Sequence, residues 1–174
     1  MAVTVTWYEF NGSDTPENSE GELVATINFG NADEADLNPA DYPIPAGSNS
    51  FFKQLIINIS GSYTTINNMK LYKAAGNYKE GESIQFSGSV AASTPTIIDQ
   101  GDPAIPTSIP AANNVAPYGL TTADSLPLSS EVESSPGYYS GSRTSLMRFQ
   151  LLSTAEAPAG MVNMKTFSFT YDRT

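Results

Sequence analysis

The sequence predicts an all-β protein, an antiparallel β-sandwich of jelly-roll-like or immunoglobulin-like kind with long proline-rich loops. Three observations carry this expectation. Short segments alternate polar and apolar residues with period two. Ser, Thr, Asn, Gly and Pro are plentiful while charged residues make up only 15% of the chain, so the Lys, Glu and Arg that clothe exposed helices are scarce. No stretch reads as a helix. A length of 174 residues suits one domain with its own core. We therefore expect residues 1–174 to form a single sandwich with extended loops near 30–50 and 91–142.

Seven segments read as strands. Val3, Val5 and Trp7 share one face of the first, with Thr4, Thr6 and Tyr8 opposite, as in a half-buried strand. "ELVATINFG" (22–30) follows, with Leu23, Ala25 and Ile27 facing one way. "FFKQLIINIS" (51–60) sets Phe51, Leu55, Ile57 and Ile59 against Phe52 and Ile56. A strand apolar on both faces is expected at the centre of a sheet, covered on both sides. "NMKLYKA" (68–74) comes after a polar turn of Thr64, Thr65, Asn67 and Asn68, so 59–76 reads as a hairpin. "ESIQFSG" (82–88) and "TSLMRFQLLS" (144–153) continue the series. The last, "KTFSFTYD" (165–172), alternates Phe167, Phe169 and Tyr171 with Thr166, Ser168 and Thr170. The Cys–Trp–Cys pattern of true immunoglobulin domains is missing, which leaves the topology open.

Two stretches break the alternation. Residues 30–50 form a connection rich in Pro, Asp and Asn. Residues 91–142 carry Pro95, Pro103, Pro106, Pro110, Pro117, Pro127 and Pro136 and no Lys or Arg. Proline lacks the N–H that a ladder needs, so this segment is no central strand. Its apolar residues, among them Leu120, argue against simple disorder. We expect an arm that packs on a neighbouring subunit; a loop folded back on its own domain and a flexible insertion are the competing readings. The candidate partner-binding residues are Ile97, Ile98, Ile105, Ile109, Val115 and Tyr118, joined by Tyr138 and Tyr139 of the "PGYYSGSR" turn.

The formal net charge is −10 and lies almost wholly in the first 50 residues. That part holds nine acids (Glu9, Asp14, Glu17, Glu20, Glu22, Asp33, Glu34, Asp36, Asp41) and no base. The remainder has nine acids against eight bases. Such a field repels phosphate, so nucleic acid is not an expected partner. The acidic end reads as a solvated surface or as a face toward a basic partner. The opening "MAVTVTWYEF" lacks the basic start of a signal peptide, so synthesis in the cytoplasm is expected. No apolar run reaches the length of a membrane span, and no membrane partner is expected.

The chain has no His and no Cys. That removes the commonest general base, the Ser–His–Asp and Cys–His arrangements, the usual zinc ligands, and thiol or iron–sulfur chemistry. No glycine-rich nucleotide loop is present. We expect no cofactor and no enzyme activity. Carboxylates remain, and two acids across a cleft suffice for a glycoside hydrolase. Asp33, Glu34, Asp36 and Asp41 lack the spacing and glycine of a calcium loop, so they read as a solvated loop. The sequons at Asn11 and Asn58 read as chance matches. Tyr138 and Tyr139, with Trp7, are the residues a carbohydrate-binding module would use.

Two segments resemble small structural proteins of tailed-bacteriophage virions. In residues 51–84 an apolar strand ends in a Ser-Gly turn, followed by an aromatic-Thr step, an Ile/Asn/Lys/aromatic series and a Gly-Glu turn. The matching positions are Ser60, Gly61, Tyr63, Thr64, Ile66, Asn68, Lys70, Tyr72, Gly81 and Glu82. The ending "MVNMKTFSFTYDRT" (161–174) is similar to the aromatic, Tyr-Asp ending of those proteins, with Asp172-Arg173 where an acid pair is usual. The resemblance implies a β-sandwich head decoration (cement) protein on the capsid exterior. It would be bound to the major capsid protein and to copies of itself as a homotrimer, and it has no catalytic residues. A tail or baseplate accessory protein is the nearest alternative. A carbohydrate-binding module and a small carboxylate hydrolase belong to other classes.

Overall fold

The two faces of one strand organise the molecule. A computed structural model describes residues 2–12, 14–16, 18–87, 107–108, 138–139, 141–144, 146–157 and 164–174. Among them the regular elements are all strands: β1 (Thr4–Phe10), β2 (Glu22–Leu23), β3 (Lys53–Ser60), β4 (Ile66–Ala75), β5 (Glu82–Ser87), β6 (Thr107–Ser108), β7 (Ser142–Arg143), β8 (Met147–Ser153) and β9 (Thr166–Arg173). The larger antiparallel sheet runs β2-β1-β3-β8-β5-β6, with β7 also paired to β3. A separate antiparallel pair consists of β4 and β9.

β3 is central, as its apolar run on both faces demands. β1 pairs along its whole length, from Thr4↔Ser60 to Phe10↔Gln54, and β8 and β7 pair on the other side. Leu55, Ile57 and Ile59 point into the main core beside Met147, Phe149 and Leu151 of β8 and Ile84 and Phe86 of β5. Ile56 points the other way, into a second cluster with Phe10, Tyr139 and Leu146. Val3, Val5 and Trp7 also pack on the main core, in phase with the sequence. Burying each of the larger side chains contributes about 1.5–3 kcal/mol.

The β4–β9 pair lies over the main core. Met69 and Leu71 of β4 are buried in it, and Phe167, Phe169 and Tyr171 of β9 pack against it. Phe149 meets Phe86 edge-on, with ring centroids 5.1 Å apart, and Phe167 at 6.5 Å. One ring thus contacts a neighbour within its own sheet and another in the β4–β9 pair. Edge-to-face pairs of this kind add about 0.5–1.5 kcal/mol beyond area burial.

Two expectations are corrected. Segment 59–76 is two strands and a turn, but no hairpin: β3 pairs with β1, β7 and β8, whereas β4 pairs only with β9 among the described residues. The chain leaves one sheet at Ser60 and enters the other at Ile66. Gly61 makes the exit at φ +115°, where a Cβ would strike the Ala2 carbonyl, and the Tyr63 hydroxyl donates to Ile59 O at 2.8 Å. Asn67 and Asn68 accordingly belong to β4 and not to the turn. Segment 22–30 is a strand only over Glu22–Leu23. The expected face also breaks up, for Leu23 is 67% exposed and Ala25 is exposed, while Ile27 packs on the core together with Val24 and Phe29. Ladder bonding to β1 stops after Val24 N–H donates to Trp7 O, and the chain bends away at Ala25 and Thr26.

The strand that flanks β3 on its β8 side is interrupted by a bulge. From Asn58 to Leu55 is three steps on β3, yet the partners Arg143 and Met147 are four apart. Thr144 spans the irregularity. Its N–H donates to Ile57 O at 2.9 Å, and its Oγ1 accepts from Ile57 N–H at 3.0 Å, in place of a backbone carbonyl. Residues 30–50 carry no strand but pack closely on the sheet. Asn31 N–H donates to Tyr42 O, Phe51 N–H to Gly30 O, and Leu37 is 2% exposed. The 91–142 expectation falls outside the described residues, apart from Thr107–Ser108 and the Tyr138 region.

Candidate functional site

The acidic connection closes over the end of β1 and creates a buried polar cluster. Val3 just ahead of β1, then Val5, Trp7 and Glu9 within it, face inward, so the alternation that builds the core also drives a carboxylate into it. On β3 the residue opposite Glu9 is Leu55, and the next inward position toward the strand's start is Lys53. The Glu9 and Lys53 side chains are both 1% exposed, and Lys53 Nζ donates to Glu9 Oε1 at 2.8 Å. Lys53 Nζ also donates to the Glu34 carbonyl, which ties the acidic loop to the sheet. Burying such a pair is costly unless its other valences are met.

Asn11 and Asp33 complete the cluster. Gly12, at φ +61°, turns the chain out of β1 and donates its N–H to Asp33 Oδ2 at 2.8 Å. With its amino group turned toward the carboxylates, the Asn11 side chain donates to Asp33 Oδ1 at 3.0 Å and to Glu9 Oε1 at 3.1 Å. Its carbonyl then accepts from Ala35 N–H at 3.2 Å. Glu9 Oε2 has no hydrogen-bond partner among the described residues. Burial pushes the Glu9 carboxyl above its ordinary value; Lys53 opposes that shift and the Asp33 charge adds to it. Glu9 therefore touches an amine and an amide while holding its proton more tightly than a solvated acid does.

The acids that read as a solvated loop have local partners. Asn38 donates its side-chain N–H to Asp41 at 2.7 Å, and the Tyr42 hydroxyl donates to Glu34 Oε1 at 3.2 Å. No group of three or more acidic side chains among the described residues is placed to hold a metal ion.

Of the candidate partner-binding residues, Ile97, Ile98, Ile105, Ile109, Val115 and Tyr118 lie outside the described residues. The structure separates the two tyrosines. Tyr139 is buried: its ring meets Tyr8 edge-on at 5.2 Å, and its hydroxyl donates to Glu20 O at 2.6 Å. Tyr138 is 40% exposed. Trp7 packs against the core. Leu23, opposite Tyr8 in the β1–β2 register, and Met164 are the other large apolar side chains exposed among the described residues.

Sequence reasoning missed the Glu9–Lys53–Asn11 cluster. Its signals were present, since a lone Lys in an apolar strand and a lone Glu on an inward strand position both ask for a partner. The pairing joins residues far apart in sequence and was not visible without the β1–β3 register. No family model, no curated protein and no solved structure matches the chain.

Proposed function

We propose that this chain is a non-enzymatic structural protein of a tailed-bacteriophage virion. In this reading it is a decoration protein on the head exterior that stabilises the capsid by bridging neighbouring capsid subunits. One observation carries the reading. The two segments that resemble such proteins, far apart in sequence, are brought together: β4 follows the Ser60-Gly61 turn and pairs with β9, from Ile66↔Arg173 to Ala75↔Thr166. The Thr64 N–H donates to Thr174 O at 2.6 Å, so the turn and the closing segment form one unit. The residues that carry the resemblance thus meet in one two-stranded unit, which supports reading the two segments together.

In this proposal the β4–β9 pair and the larger sheet form the two layers of a β-sandwich. The proline-rich 91–142 segment supplies arms toward the capsid or toward sister subunits of a homotrimer, and proline lowers the entropy lost when an arm is ordered. The acidic first third faces away from packaged DNA. The test is mass spectrometry of purified particles, with imaging of labelled protein on heads and tails. Stoichiometric recovery on heads is expected. Absence from the particles ends the proposal, and recovery on tails alone replaces decoration with a baseplate role.

A further inference from the structure

We propose that Lys53 and Asn11 become joined by a self-formed amide bond between their side chains, with Glu9 as the proton carrier. The inference is independent of any role in a virion and rests on the buried cluster alone.

Position comes first. The β1–β3 register ends at Phe10↔Gln54, and the next residue along the chain on each side of that end is Asn11 after β1 and Lys53 at the start of β3. Glu9 Oε1 lies between the reacting groups, 2.8 Å from Lys53 Nζ and 3.1 Å from the Asn11 amino group. Ala35 N–H holds the Asn11 carbonyl oxygen at 3.2 Å, where negative charge gathers when the carbon is attacked. Asp33 fixes the rest of the amide by accepting from the Asn11 amino group and from Gly12 N–H. Holding reactants in such an arrangement replaces a large part of an activation barrier with folding energy.

The chemistry balances without an added reagent. Lys53 enters as an ammonium and gives one proton to the Glu9 carboxylate. Its lone pair then attacks Cγ of Asn11, and the oxyanion is held by Ala35 N–H. Glu9 and the attacking nitrogen return protons to the departing Nδ2, the Cγ–Nδ2 bond breaks, and ammonium leaves. The products are one secondary amide and one ammonium ion, with Glu9 again a carboxylate. Burial assists the first step, because a desolvated Glu9 accepts a proton more readily than a solvated one. It also keeps out the water that would hydrolyse the amide.

The intact folded protein provides the test. After denaturation its mass is expected to be lower than that of the sequence by one ammonia. No Lys or Arg precedes Lys53, so trypsin releases residues 1–53 from an unlinked chain. A linked chain resists cleavage at Lys53 and yields residues 1–70 as one piece, lighter by one ammonia. Release of 1–53 at full mass overturns the proposal. Release of 1–53 lighter by one ammonia does so too, because it marks cyclisation of Asn11 on its own backbone. A linked fragment lighter by water would move the electrophile to Asp33 and overturn the assignment to Asn11. Asn11→Ala is expected at full mass with 1–53 released. Glu9→Gln, with strand content checked by circular dichroism, is expected to stay unlinked; a linked Glu9→Gln chain removes Glu9 from the reaction, and the wild-type mass decides on the bond itself if that variant fails to fold.

Discussion

Two buried Glu–Lys pairs of the same composition do different work in this protein. Glu82 at the start of β5 accepts from Lys165 Nζ through Oε1 and from Lys79 N–H at 2.9 Å through Oε2. Lys165 also lies over the Tyr78 ring, 5.4 Å from its centroid. Each Glu82 oxygen has its donor, and the pair fastens the larger sheet to the chain just ahead of β9. Glu9, by contrast, shares Oε1 between Lys53 and Asn11 and leaves Oε2 without a donor. Full satisfaction makes Glu82 a clasp. Partial satisfaction beside an amide makes Glu9 a group that can move a proton.

The largest expected effect that separates the pairs is at Lys53. Lys53→Met removes the cation beside Glu9 and, with the Lys53–Asn11 bond, a covalent closure of the loop between β1 and β3; a closure of this length is worth about 4 kcal/mol. The loss is expected to exceed that figure in urea unfolding. Lys165→Met comes next, at about 3 kcal/mol, because it leaves the Glu82 charge buried without its counter-charge. Equal losses for the two lysines would mean that both pairs are simple clasps. The smallest effect is the pH dependence of Glu9. Its folded-state affinity for a proton is raised above that of the unfolded chain, whose ordinary value is 4.5. The protonated folded form is thus favoured, and that contribution is full below the unfolded value and fades as pH rises through the folded one. Wild type should gain stability on Glu9→Gln as pH falls across this window, read as a difference in urea midpoints. A difference that stays flat with pH would show that Glu9 is titrating as a solvated acid.

Local rules made the strands legible and left their partners hidden. The alternation in β1, β3 and β9 predicted which residues face the core, because a half-buried strand has no other way to place Val5, Ile57 or Phe169. It misjudged 22–30, where Val24, Ile27 and Phe29 reach the core from an irregular path that obeys no period of two. It also misjudged the link from β3 to β4. A tight polar turn between two strands favours a hairpin, but the long apolar flanks of β3 were already taken by β1 and β8. The cluster around Glu9 was half legible. Each charged residue was out of place in its own strand, and only the β1–β3 register shows that the two correct one another.

The extra residue beside Thr144 has a consequence for the whole strand that follows. Arg143 sits at an odd position and Arg148 at an even one, yet opposite Asn58 and Gln54 both arginines fall on the same side of the sheet. The register changes parity once, so Met147, Phe149 and Leu151 face the main core while Arg148 lies on the opposite face, buried over the Phe52 ring. Shortening the chain there by a single residue would exchange the two faces of β8 and send Arg148 and Gln150 into the main core in place of Met147, Phe149 and Leu151, an error no side-chain repair could undo. The irregular step is therefore the place where the molecule counts its residues.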